Sequence, residues 1–155
     1  MTAPRLSLSV QYGVQMDQLP RWRLRRWALR ALDAGAPSVP GLRAAALALR
    51  LVDAREGRRL NREFRQRDYA TNVLTFEYGL DPDGTLHGDI VLCVPVLRRE
   101  AREQGKRLLD HAAHLTVHGV LHSLGYDHLD EAQASEMESL ETAILARMGI
   151  ADPYR

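Results

Sequence analysis

The chain has 155 residues, of which 45% are hydrophobic and 26% charged, enough to build one ordinary core and too few to expect two domains. The lone Cys93 excludes an intrachain disulfide framework, no apolar run reaches the roughly 18 residues that cross a bilayer, and MTAPRLSLSVQYG lacks a basic-then-apolar signal pattern, so a cytoplasmic protein with no membrane partner is expected. The net charge of +1 hides an asymmetry, with 14 Arg against 5 acids in residues 1–67 and 7 basic against 15 acidic residues in 68–155. Such a split points to nucleic acid only if the two halves are also two surfaces.

Taken in order, Leu6, Leu8 and Val10 alternate with polar residues and predict a first strand, ended by Gly13. A helix is expected over 20–33, where Pro20 suits the first turn and Leu24, Trp27, Ala28, Ala31 and Leu32 form one stripe. After the breakers Gly35, Pro37 and Pro40, the alternation Leu47, Leu49, Leu51 predicts a second strand. Asp53 followed by Glu56 is a capping-box start for a helix over about 54–66. NVLTFEY reads as a third strand, DPDG as a turn and GDIVLCV as a fourth strand. Helices follow over about 95–104, 108–124 and 130–148. The order β-α-β-α-β-β-α-α-α predicts an α+β fold: one domain over 1–155, a mixed, mostly parallel four-stranded sheet with helical crossovers, and a helical C-terminal half.

That half contains HGVLHSLGYDH, residues 118–128. His118 and His122 stand four apart on a predicted helix, so their rings leave the same face one turn apart, close enough to share an ion at about 2.0–2.1 Å. Gly125 permits the helix to end, and His128 then returns as a third ligand, leaving a fourth position open. No fourth Cys or Asp has the spacing to close that shell. The ligand spacing is that of HExxHxxGxxH peptidases, except that Gly119 replaces the general-base Glu. One Zn2+ per chain is expected, although the same imidazoles accept other divalent transition metals.

Other polar residues have two readings. His114 extends the stripe, but the eight residues from it to His122 span about 12 Å, too far for one ion, so it is read as pocket wall or support. His87 is read as a surface or packing residue, Cys93 as core, and Asp89 as a strand-edge residue near the cleft. Asp127 either orients an imidazole, accepts a proton or caps the next helix. Thr71 and Asn72 either bond a substrate or cap the turn into the third strand. Arginines 21, 23, 25, 26 and 30 form either an RNA-phosphate surface or a solvated helix face with Trp22 and Trp27 in the core, and the second reading is preferred.

HGVLHSLGYDH resembles the HGxLHLxGYDH signature of the YbeY family, bacterial metal-dependent endoribonucleases of ribosomal RNA maturation. LNREFRQRDYATNVLTF resembles that family's LNxxYRxxDxPTNVLSF, LHGDIVLC its LGDIVI strand, and EAREQGK and MESLETAIL also fit, so that specific motifs cover about residues 47–154. Ser123 stands for the usual Leu, Ala70 for Pro, and Glu77 where Pro is common. The resemblance implies that His118, His122 and His128 are the metal ligands and that Arg65 is the basic residue of the active-site cleft. It implies single-strand-specific cleavage in 16S rRNA 3′-end maturation and ribosome quality control, by metal-activated water or by the RNA's own 2′-hydroxyl. Implied partners are rRNA and the small ribosomal subunit, with a small-subunit ribosomal protein and a ribosome-assembly GTPase. The alternatives are a metallohydrolase of another substrate such as a peptide, which Gly119 disfavours, and a non-catalytic ribosome-assembly factor with a structural metal.

Overall fold

The structure, a computed structural model, describes residues 3–155; Met1 and Thr2, the start of the segment read for a signal pattern, lie outside it. Strand β1 (Arg5–Tyr12) is followed by α1 (Arg21–Gly35), β2 (Ala44–Val52), α2 (Ala54–Arg65), β3 (Val73–Leu80), β4 (Thr85–Cys93), α3 (Val94–Gln104), α4 (Leu108–Ser123) and α5 (Glu131–Arg147), with a short 3-10 turn at Ala36–Ser38. The sheet order is β1-β2-β4-β3. The β1–β2 and β2–β4 pairs are parallel and β3–β4 is antiparallel, giving the mixed sheet expected. Strand β4 begins three residues before GDIVLCV because Thr85, Leu86 and His87 pair with β2. No described helix is long and apolar enough to cross a membrane.

Alternation divides the sheet into two faces. Leu47, Leu49, Leu51, Leu86, Ile90 and Leu92 join one large core with α1, α4 and α5, while Val52, Leu74, Val91 and Cys93 form a smaller core on the other face, against which Leu60 of α2 packs. Cys93 is thus core, and burial pushes its thiol pKa up. Helix α1 places its predicted stripe inward. Trp22 is the exception to the expectation that both tryptophans are core: it is 60% exposed, because it precedes Leu24 by two residues and so projects from the opposite side of the helix. Arg21 and Arg25 donate to the carbonyls of Val10 and Leu6, covering the free edge of β1.

Helix α2 starts as its capping residues demand, with the Asp53 carboxylate accepting from Glu56 N–H at 2.8 Å. It ends at Gln66, a left-handed residue (φ 57°), after which the chain folds back on the helix. Arg58 holds Asp68 bidentately at 2.8 and 2.9 Å, and buried Asn61 donates to Tyr69 O at 2.7 Å. These bonds fix the linker that carries Thr71 and Asn72.

Candidate metal centre

Between positions 111 and 124, every residue of α4 and its cap is buried except His114, His118 and His122. The helix lies in the middle of the helical layer, and the one stripe left partly open is the i, i+4, i+8 row of histidines. The helix closes at Leu124 and Gly125, whose φ of 102° suits glycine, and the reversal brings His128 back. The ring centroids lie 5.7 Å apart for His118–His122, 6.0 Å for His118–His128 and 5.6 Å for His122–His128.

Two of the rings are oriented by carboxylates. His118 Nδ1 lies 2.6 Å from Glu141 Oε1, and His122 Nδ1 lies 2.7 Å from Glu77 Oε1. An ionised carboxylate only accepts, so both Nδ1 atoms carry a hydrogen, which leaves Nε2 as the ring nitrogen on each that can serve a cation. That is the arrangement by which metal-binding histidines are usually held, and the donor set fits a borderline cation such as Zn2+.

Glu141 is fully buried. Burial alone would raise its pKa, but hydrogen bonds from His114, His118 and Tyr154 and the charge of His118 more than reverse this and hold it at about 2. Tyr154, from the C-terminal segment, donates to Glu141 Oε2, and its own pKa is raised by burial and by that carboxylate. His114 Nε2 sits 3.4 Å from Glu141 Oε2 and 3.3 Å from the Tyr154 hydroxyl, beside the support and not among the three converging rings.

Asp127 changes the expectation about the shell. Ligand atoms of His122, Asp127 and His128 lie within 4.8 Å of one another, a set that places a carboxylate at the donor cluster and leaves His118 outside it. Asp127 Oδ1 accepts from the backbone N–H of its neighbour His128 at 2.7 Å, which turns the carboxylate inward; the cap of α5 is Asp130 instead. Glu141 presets the ring of His118, while one oxygen of Asp127 is engaged by a backbone amide.

Arg65 is not in contact with the histidines. It donates to Thr75 O at 2.8 Å, with its guanidinium 5.2 Å from the centroid of the Phe76 ring, so it is fixed on β3 two residues before the Glu77 that holds His122. Thr71 is half-buried in the linker. The Asn72 amide donates to Glu100 at 3.0 Å and its oxygen accepts from Val73 N–H at 2.6 Å. Glu100 also meets the buried His111 at 2.9 Å, and burial lowers the His111 pKa against the pull of that carboxylate. Asp89 is not at a strand edge: it lies on the inner strand β4, on the sheet face away from α4, and accepts from Tyr78 O–H at 2.8 Å. His87 is partly exposed and bonded to Asp81 at 2.8 Å.

Gly119 faces the sheet. A Cβ there would stand 2.8 Å from Ile90 Cγ2, so this position cannot deliver a carboxylate to the metal side of α4. Ser123 is buried over Gly88 and donates its hydroxyl to Gly119 O at 3.0 Å. Gly119→Ala is expected to lose about 1 kcal/mol net, since overpacking at about 1–3 kcal/mol outweighs a helix-propensity gain of about 1. Calorimetry should show the midpoint fall by about 2–4 °C; a rise would mean that Ile90 yields freely.

A family model described as Endoribonuclease YbeY matches residues 11–149. The chain is 71% identical over 153 residues to Endoribonuclease YbeY of Bordetella pertussis, covering 98% of both chains. It is 55% identical over 159 residues to Endoribonuclease YbeY of Alkalilimnicola ehrlichii, covering 99% of this chain and 93% of that one. The solution structure of TM1509 from Thermotoga maritima shares the fold at a TM-score of 0.59 and 20% identity, over 96% of this chain and 99% of that one. The HGVLHSLGYDH site and its supporting strands lie inside the matched span, and the chain belongs to the YbeY endoribonuclease family.

Proposed function

We propose that the chain is a single hydrolase domain over 1–155 and a single-strand-specific, metal-dependent endoribonuclease of 16S rRNA 3′-end maturation and ribosome quality control. The observation that carries the reading is the convergence of His118, His122 and His128 with carboxylates behind two of them. One Zn2+ held by His118, His122 and His128 would supply Lewis acidity, polarising a phosphate oxygen and lowering the pKa of a bound water. The residues around it keep the rings in one tautomer and one orientation. Arg65 is the group that pairs with the charge developing on the phosphodiester, with Thr71 and Asn72 as flanking substrate contacts. Rigidity recommends Arg65 for this role, because its bond to Thr75 O and its packing on Phe76 preset the guanidinium while other N–H donors stay available. The protein acts in the cytoplasm on rRNA of the small subunit, in contact with a small-subunit ribosomal protein and an assembly GTPase.

A second reading rests on Asp127. As a fourth donor it would close the shell and make the metal structural, as in a non-catalytic assembly factor. A cleavage assay on precursor small-subunit rRNA, with casein in parallel, tests the first reading. RNA is expected to be cut and casein left intact. Arg65→Ala is expected to lower kcat by roughly 10²–10³-fold at unchanged metal content, the effect of removing one donor to a developing oxyanion. Full activity in that variant removes Arg65 from the reaction.

A further inference from the structure

The two carboxylates behind the histidines differ in origin and in setting. Glu141 comes from α5, is fully buried and is clamped by Tyr154. Glu77 comes from the edge strand β3 and has a side chain 43% exposed. In this chain the alternation of β3 puts Val73, Thr75 and Glu77 on one face, and the Glu77 carboxylate reaches across 45 positions of sequence to His122 Nδ1 at 2.7 Å.

We propose that Glu77 is a positioning residue of the metal centre: its carboxylate holds His122 as the Nδ1–H tautomer and aims Nε2 at the shared ion. The inference rests on reading His118, His122 and His128 as the ligands. On α4 the two supported side chains are about equally open, 22% exposed for His118 and 20% for His122, but among the described residues no buried group holds the Nδ1 of His122 as Glu141 holds that of His118. Without Glu77 the imidazole is free to rotate and to place its hydrogen on Nε2, and binding the ion must then reverse both. The carboxylate also adds a negative charge near the cation, but one so exposed is largely screened by salt. Orientation is therefore the larger part of its effect.

Two measurements test this. Zn2+ affinity is read by competition with a chromophoric chelator, and the tautomer of each histidine by long-range 1H–15N spectra of the metal-free protein. Wild type should show His122 protonated on Nδ1. Glu77→Ala should weaken Zn2+ binding by about 10-fold or more, within the range for supporting groups of metal histidines, and shift His122 toward the Nε2–H form while His118 stays unchanged. Glu77→Gln keeps an acceptor and should retain most of the affinity and the wild-type tautomer, which a loss through misfolding would not do. An affinity for Glu77→Ala within about twofold of wild type, with the tautomer unmoved, overturns the proposal. His122→Ala separates the two levels of inference. If it loses the metal while Glu77→Ala does not, only the positioning role fails; if it binds Zn2+ as wild type does, the ligand reading fails.

Discussion

His128→Ala is expected to abolish metal-dependent RNA cleavage while leaving the fold almost as stable as before. His128 lies in the loop after α4, with its side chain 58% exposed, and it holds no buried charge in place. Surface substitutions of that kind usually change stability by no more than about 0.5 kcal/mol. Losing a ligand, in contrast, removes charge stabilisation worth several kcal/mol in the transition state, and about 4 kcal/mol corresponds to roughly 10³ in rate. His118→Ala should lose the same activity but also destabilise the protein, because it strips the buried Glu141 of the partner on its Oε1. The contrast between the two variants therefore separates catalysis from folding. Asp127→Asn in the same series decides between the open and closed shells. Metal content should be unchanged if Asp127 stands beside the site, and should fall as steeply as in His128→Ala if it is the fourth donor. Metal analysis, thermal unfolding and single-turnover cleavage of precursor rRNA are the readouts. Cleavage by metal-free His128→Ala at the wild-type rate would remove the metal from the mechanism.

Local signals in the sequence were sufficient for most of the frame. Capping at Asp53, the alternation of β2 and the spacing of the three histidines are short-range patterns, and each is realised as such. What supports the site depends on contacts between distant segments, which no local period encodes. Glu77 meets His122 over 45 positions and Glu141 meets His118 over 23. Both left a faint trace nonetheless. The buried positions of α5 are Met137, Glu141, Ile144 and Leu145, so an acid stands on the apolar stripe of the helix, and an acid there needs a partner. Glu77 shares its strand face with Val73 and Thr75, which puts it on the side of the sheet that α4 covers. Gly119 was informative in a different way from the one its position suggested. Its lack of a side chain serves helix–sheet approach at Ile90, so the absent glutamate reflects packing as much as chemistry.

The largest stability effect is expected at Glu141, and it should carry a pH signature. In the folded protein its carboxyl is held at about 2 by His114, His118 and Tyr154 despite full burial, against an ordinary value of 4.5. A group whose folded pKa is depressed stabilises the fold at every pH above its unfolded value, and that contribution disappears as pH falls toward the folded one. The window here is therefore about pH 4.5 down to 2, and the depression corresponds to about 3 kcal/mol at neutral pH. Glu141→Gln keeps the shape and an acceptor oxygen but gives up the charge, so it should cost about 2–3 kcal/mol at pH 7 and progressively less below pH 4.5. Glu141→Ala should cost more, about 3–5 kcal/mol, since it also leaves the Tyr154 hydroxyl and His118 Nδ1–H without their acceptor. Urea unfolding between pH 7 and pH 3, with a chelator present so that metal release adds no protons of its own, measures both. Wild-type and Glu141→Gln curves should converge as pH falls. If they run parallel across that range, the buried carboxylate is not ionised in the fold, and the tautomer assigned to His118 loses its basis.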